Sequence, residues 1–230
     1  MSDKKERPGR KPRKGDGPKL DEGLDKGKVI EVQKISSEPV LAFQDLDVQF
    51  KTEFGRVHAV RGVSIDVVPG QVVALVGESG SGKSVTSTTA LGLLPGNASI
   101  DGEVTVAGKS VRGMGSRGLR NLRGRDVAMV FQEPMTALNP VLTIGRQITE
   151  ALEQHGVAYG TAATARAVEL LKMVGLNDAE ARVKQYPHEL SGGQRQRVCI
   201  AMAISCNPKA IIADEPTTAL DVTVQADILD

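Results

Sequence analysis

The segment Gly77–Ser84 combines glycines, a lysine and a serine at spacings that suit phosphate chemistry. Its sequence, GESGSGKS, matches the pattern G-x-x-x-x-G-K-[ST] at every position. Glycine permits the backbone angles with which successive main-chain N–H groups surround an anion. Lys83 would reach the β- and γ-phosphates, and the Ser84 hydroxyl would ligate Mg²⁺. The pattern therefore predicts ATP binding by Gly77, Glu78, Ser79, Gly80, Ser81, Gly82, Lys83 and Ser84.

Two adjacent carboxylates, Asp214 and Glu215, follow the apolar run Ala210–Ala213. A carboxylate at the carboxyl end of a buried parallel strand faces the ligand crevice of an open α/β sheet. Asp214 therefore suits a Mg²⁺ ligand of the Walker B type, and Glu215 is placed to orient or deprotonate the attacking water. Alone, such a run is as often a simple strand-end turn, and the upstream phosphate loop favours the catalytic interpretation.

A third cluster is the pentapeptide Leu190–Gln194, LSGGQ. Ser191 and Gln194 have the spacing of a capping box, which predicts a helix that begins at Gly192 and ends near Asn207. Two glycines in a first helical turn disfavour the helix, unless the backbone must lie against another group. A helix N-terminus favours an anion as that group. A well-capped buried helix without a ligand remains the alternative.

Alternating and continuous apolar runs predict the elements that position these residues. Residues 46–50 and 63–67 alternate as half-buried strands do, and Val72–Val76 reads as a strand buried on both faces, directly before the phosphate loop. Further predicted strands are 103–106, 127–131 and 210–213, and predicted helices cover 85–94, 144–152 and 167–174. Buried strands separated by helices indicate an α/β fold with a parallel sheet, and residues 134–207 form a mostly helical insertion.

With these motifs in this order, residues 40–230 resemble the ATP-binding cassette (ABC) ATPases. The family's elements are Walker A at Gly77–Ser84, the Q-loop glutamine Gln132, the signature Leu190–Gln194, Walker B at Ala210–Asp214 and the D-loop Ala219–Asp221. The resemblance implies an α/β P-loop NTPase fold: a RecA-like parallel-sheet core, an antiparallel β subdomain, and a helical subdomain at about residues 135–206.

The resemblance also assigns roles and partners. It implies that two cassettes pair head to tail, as a homo- or heterodimer, so that one chain's signature binds the nucleotide of the other through Ser191, Gly192, Gly193 and Gln194. Gln132 would contact Mg²⁺ and the attacking water, which makes it a catalytic candidate with Glu215. Phe54 occupies a position where the family often stacks an aromatic ring on adenine, although packing in the core explains it equally well.

A narrower resemblance, to the ATP-binding subunits of dipeptide, oligopeptide and nickel importers, rests on three segments. These are FQEPMTALNP at Phe131–Pro140, YPHEL at Tyr186–Leu190, and DEPTTALDVT at Asp214–Thr223. It implies transmembrane permease subunits as partners, a solute-binding protein as an indirect partner, and a peripheral location on the cytoplasmic face of the cell membrane. Met135, Leu138 and Pro140 become candidates for contact with a permease helix, although loop packing also explains them.

The charge distribution divides the chain in two. It has 230 residues and a net charge of +1, but residues 1–38 are rich in Lys, Arg, Gly and Pro, which predicts a disordered basic tail before an ABC domain at 39–230. No apolar run is long enough to span a bilayer. Arginines between residues 112 and 125 lack the interleaved aromatics of a base-stacking surface, so we expect a solvated segment and no specific nucleic acid.

The family pattern continues past the D-loop to a histidine that contacts the γ-phosphate. No histidine follows Asp221, and the sequence stops at Asp230 inside a predicted helix. These features predict a C-terminally truncated cassette that binds ATP and hydrolyses it weakly alone. Two alternatives stay open: a soluble ABC-type ATPase that acts on nucleic acid or ribosomes, and a non-hydrolysing nucleotide-binding fragment.

Overall fold

A computed structural model describes residues 38–215. Its larger sheet is antiparallel, with strand order β2-β1-β3-β4. The strands are β1 (Leu41–Thr52), β2 (Gly55–Val67), β3 (Ala98–Val106) and β4 (Lys109–Ser110). Leu46, Val48 and Val106 are fully buried on its inner face, as the alternating pattern predicts. This sheet corresponds to the antiparallel subdomain that the resemblance implies.

The second sheet is parallel and consists of β5 (Val127–Val130) and β6 (Ala210–Ala213). Val127 pairs with Ala210 and Val130 with Ala213, so both strands end at the same edge. Asp214 continues the pairing, since its main-chain N–H donates to the Val130 carbonyl at 3.0 Å. The parallel arrangement of these two predicted strands is confirmed.

The strand predicted at Val72–Val76 is wrong for the described structure. This run has no regular secondary structure, and Val72 and Val76 are 95% and 92% exposed. A strand is buried on both faces only when neighbouring strands and covering layers are present. Within residues 38–215, the parallel sheet has two strands, β5 and β6, and Ile211 of β6 is 49% exposed. This part of the sheet therefore lacks the covering layers that would bury Val72–Val76.

Seven α-helices lie between the strands of residues 38–215. They are α1 (Lys83–Ala90), α2 (Ser116–Leu122), α3 (Pro134–Ala137), α4 (Ile144–Gln154), α5 (Gly160–Met173), α6 (Ala179–Arg182) and α7 (Gly192–Ile204), with a 3₁₀ turn at Pro187–Glu189. Helices α4, α5 and α7 share an apolar core that includes Ile148, Leu152, Leu170 and Val198. The helical insertion predicted between residues 134 and 207 is confirmed. None of the described helices combines the length and the apolar character needed to cross a membrane.

Helix α1 is shorter than predicted, because it ends at Ala90 rather than Leu94. Gly92 has a φ of 61°, a left-handed conformation that stops a helix. Arg123 fixes this end: its Nε and Nη2 donate to the carbonyls of Leu91 and Gly92, each at 2.8 Å. Arg123 was predicted to lie in a solvated segment, and that prediction is wrong for this residue, since its guanidinium is half-buried against α1.

Candidate functional site

The loop Gly77–Gly82 has the geometry of a phosphate-binding loop. Gly80 and Gly82 have φ angles of 79° and 95°, which side-chain-bearing residues rarely adopt. A Cβ atom on Gly77 would lie 2.7 Å from the Ser81 Oγ, and one on Gly82 would lie 2.4 Å from the Ala59 carbonyl oxygen. Gly82 is therefore required both by its backbone angle and by the neighbouring main chain, whereas a Cβ atom on Gly77 would meet only the end of the Ser81 side chain.

Lys83 is the first residue of α1, and its ammonium folds back over the loop. Its Nζ donates to the main-chain carbonyls of Gly77 and Glu78, each at 2.8 Å. The cation is thus held beside the loop's main-chain groups at the positive end of the helix dipole. A phosphate in the loop would meet both the ammonium and the helix N-terminus.

Gln132 and Glu215 come together at the edge where the two parallel strands end. Gln132 lies two residues after β5, Glu215 lies two residues after β6, and the Gln132 Nε2 donates to the Glu215 Oε2 at 2.8 Å. Glu215 has a φ of 45°, so the chain turns sharply directly after Asp214. The sequence predicted both residues as catalytic candidates, and the structure makes them direct neighbours.

A cavity of about 690 Å³ is lined by Lys83 from the phosphate loop and by Asp214 and Glu215 from the strand end. Lys83 and the two carboxylates therefore face a common space. Within residues 38–215, no three His, Cys, Asp or Glu side chains cluster as a metal centre. Mg²⁺ is commonly bound by one or two carboxylates together with substrate phosphates, so the carboxylate of Asp214 fits that cation. Ser84 follows Lys83 in the chain, and Gln132 hydrogen-bonds Glu215, the residue after Asp214.

The start of α7 shows the predicted capping box. The Ser191 Oγ accepts from the Gln194 N–H at 3.3 Å, and the Gln194 Oε1 accepts from the Ser191 N–H at 2.9 Å. The first main-chain N–H groups of an α-helix have no partner within the helix, and in α7 these groups belong to Gly192 and Gly193. Gly192 is exposed, and a Cβ atom there would meet no atom within 4 Å. The helix therefore begins with an open main-chain surface.

A protein-family comparison decides the identity of this arrangement. The model for the ABC transporter family matches residues 60–218, more than half of the chain. This chain belongs to the ABC transporter family. Among curated proteins, it is 54% identical over 201 residues to the peptidoglycan transport ATP-binding protein YejF of Agrobacterium fabrum. It is 51% identical over 195 residues to the dipeptide transport ATP-binding protein DppD of Bacillus subtilis.

Solved structures give the same fold. The dimeric, post-hydrolysis ATP-binding cassette MJ0796 bound to ADP and Pi has a TM-score of 0.73 and 30% identity, with 82% of this chain and 79% of that one covered. CbiO1 of Clostridium perfringens has a TM-score of 0.67 and 25% identity, with 84% and 72% covered. The fold class predicted from the sequence is confirmed. Similarity to the curated relatives covers 86% and 84% of this ABC chain but 37% and 58% of YejF and DppD.

Four candidate contact residues of the ABC chain differ in their exposure. Phe54 is 100% exposed in the turn between β1 and β2, so the core-packing alternative is wrong and the adenine-stacking role stays a prediction. Leu138 is 3% exposed within the helical core, which makes it a packing residue. Met135, which is 53% exposed, and Pro140, also exposed, stay candidates for contact with a permease. The predicted D-loop lies outside the described residues, as does nearly all of the predicted tail.

One polar pair beside the phosphate loop was not predicted from the sequence. The His58 Nε2 lies 2.6 Å from the Asp47 Oδ2, and the Gln49 Nε2 donates to the other carboxylate oxygen at 3.3 Å. His58 also lines a cavity of about 480 Å³ together with Gly80 and Lys83. The pair joins two strands, and an irregular register near Val48 and Gln49 brings it together, so no sequence spacing signals it.

Proposed function

We propose that this chain is the ATP-binding and ATP-hydrolysing subunit of an ABC importer that carries di- or oligopeptides, or a related solute such as nickel. The observation that carries the proposal is the cavity that Lys83 shares with Asp214 and Glu215. The names of YejF and DppD support a transport role over a role on nucleic acid or ribosomes. The same proposal includes the division of the chain into a basic tail, residues 1–38, and an ABC domain, residues 39–230.

The chemistry follows from the positions of these side chains. On ATP binding, the Lys83 ammonium exchanges the Gly77 and Glu78 carbonyls for phosphate oxygens, and the loop's N–H groups donate to the same anion. Glu215 accepts a proton from the attacking water, and the Gln132 amide fixes the orientation of its carboxylate. Ser84, Asp214 and Gln132 would hold Mg²⁺, which neutralises charge on the transferred phosphate.

A second cassette would complete the site. MJ0796 is dimeric in its post-hydrolysis structure. In the proposed dimer, the exposed start of α7 meets the partner's nucleotide through Ser191, Gly192, Gly193 and Gln194. Permease subunits contact Met135 and Pro140, and place the protein peripherally on the cytoplasmic face of the membrane. The permease and a solute-binding protein determine the solute.

A nucleotide assay tests the proposal at its central residue. Lys83→Ala removes the phosphate cation, so we expect loss of Mg-ATP binding and of phosphate release by the purified protein. Lys184→Ala, which removes an exposed lysine from the helical insertion, serves as the control. Equal ATP affinity in the Lys83 variant and the wild type would refute the assignment of the loop. Uptake of a labelled dipeptide by the assembled transporter, compared with nickel uptake, then identifies the solute class.

A further inference from the structure

Gln196 is an anomaly in the core of the protein. It lies in α7 and is 1% exposed. Within residues 38–215, neither its Oε1 nor its Nε2 has a hydrogen-bond partner. Buried polar groups are nearly always paired, and an unpaired buried amide destabilises the folded state. Gln196 therefore carries an energetic cost in this conformation of the protein.

Another buried glutamine shows what a purely structural amide does in the same helical insertion. Gln147 is 7% exposed, and its Oε1 accepts from the Asn139 N–H at 2.8 Å. Its Nε2 donates to the carbonyls of Asn139 and Leu142, both at 3.0 Å. Gln147 thus pairs both ends of its amide within the fold, whereas Gln196 pairs neither end within the part of the chain that the structure describes.

The surroundings of Gln196 point to its missing partner. Ala203, two turns further along α7, packs against Ala128 and Val130 of β5. The spacing of seven residues places Gln196 and Ala203 on the same face of the helix. A helix that connects back to a parallel strand runs antiparallel to it, so Gln196 lies toward the carboxyl end of β5. Helix α3, which follows β5, also contacts α7.

The segment at that end of β5 is the Q-loop, residues 131–134, which carries Gln132. We propose that Gln196 is a positioning residue: in the ATP-bound protein its amide hydrogen-bonds main-chain groups of residues 131–134. The described conformation leaves this amide unpaired within residues 38–215, so hydrogen bonds gained with the Q-loop would favour the ATP-bound arrangement. This inference rests on the proposed function, since it requires that ATP binds.

The first test compares two substitutions that replace an amide with an apolar group of similar size. Gln196→Met removes an unpaired amide, so the urea midpoint of the nucleotide-free full chain should rise or stay unchanged. Gln147→Met leaves the main-chain groups of Asn139 and Leu142 unpaired, so its midpoint should fall. A fall in the Gln196 variant similar to that in the Gln147 variant would overturn the inference, because it would show that Gln196 already has a structural partner.

The second test follows the loop directly. Hydrogen exchange of residues 131–137, measured with and without Mg-ATP, should show ATP-dependent protection in the wild type and a loss of most of it in Gln196→Met. ATP affinity should also fall, by about 2–10-fold, because hydrogen bonds that form only in the ATP-bound protein contribute to the free energy of binding. Equal protection in both proteins would overturn the inference. Failure of the wild type to bind ATP would instead refute the proposed function, and the urea midpoints would still decide whether Gln196 is unpaired.

Discussion

The side-chain amide of Gln132 donates to the carboxylate of Glu215 at 2.8 Å, although 83 residues separate them in the chain. The contact exists because β5 and β6 are parallel and end at the same edge. It holds the carboxylate of the proposed general base beside the Gln132 amide. A shift of Gln132 would therefore act on a direct contact of Glu215.

Glu215→Gln should separate binding from hydrolysis. The amide keeps the size of the side chain and cannot accept the proton of the attacking water, so turnover should fall by about 10²–10⁴-fold. Mg-ATP affinity should stay close to that of the wild type. Phosphate release and equilibrium nucleotide binding measure the two effects, with Glu150→Gln, at an exposed position on α4, as the control. Turnover equal to the wild type would remove Glu215 from the catalytic role.

Arg123→Met should destabilise the fold without touching the phosphate loop. The substitution keeps much of the side chain's apolar length and removes the donors to the carbonyls of Leu91 and Gly92. We expect a loss of about 1–3 kcal/mol in the free energy of unfolding, measured by urea denaturation. Arg120→Met, at an exposed position of α2, should change it by less than about 0.5 kcal/mol. Similar losses in the two variants would contradict the role assigned to Arg123.

Asp126 should make stability depend on pH. Its side chain is 6% exposed and accepts from the Nζ atoms of Lys109 at 2.7 Å and Lys209 at 3.2 Å. Burial alone would raise its pKa, but the hydrogen bonds from the two lysines outweigh burial and lower the pKa below the ordinary value of 3.8. The ionised form is therefore favoured by folding. Its stabilisation is present above pH 3.8 and is lost as the pH falls through the lowered pKa.

Asp126→Asn tests this linkage. At pH 7 we expect the variant to be less stable than the wild type by about 1–3 kcal/mol, because two ammonium groups lose a charged acceptor. The difference should shrink as the pH is lowered below 3.8, since the wild-type carboxyl is then protonated as well. Urea titrations of both proteins over a pH series measure the difference. A constant difference at every pH would show that the charge of Asp126 contributes nothing.

The two cysteines should differ in reactivity. Cys199 is 7% exposed, and burial raises the pKa of its thiol to about 11, so its thiolate fraction at pH 8 is about one in a thousand. Cys206 is only half-buried. A thiol reagent should therefore modify Cys206 first in the folded protein, and both thiols only in urea. In Cys206→Ser the fast phase should disappear, and its persistence would contradict the burial of Cys199.

Residues whose chemistry is local were predictable from the sequence. The phosphate loop depends on glycines at fixed spacing, and the capping box of Ser191 and Gln194 closes within one helical turn, so short patterns specify both. To predict that Gln132 and Glu215 are neighbours, one further assumption was needed, that β5 and β6 are parallel. The alternation of apolar strands and helices supported that assumption.

Features that depend on what lies beside a segment were not predictable. Val72–Val76 has the composition of a buried strand, yet burial depends on neighbours that the run itself does not encode. Arg123 looked like one more surface arginine, because only the folded chain brings Leu91 and Gly92 within reach of its guanidinium. The unpaired amide of Gln196 likewise follows from packing in three dimensions.

The glycines of this protein differ in whether the chain itself excludes a side chain at their position. Gly82 cannot accept a side chain, because its φ is 95° and a Cβ atom there would lie 2.4 Å from the Ala59 carbonyl oxygen. At Gly192 the space is open and the backbone is helical, so the isolated subunit gains nothing from glycine and would fold at least as well with alanine. If activity nevertheless requires glycine at that position, the molecule that excludes the methyl group must come from outside the subunit.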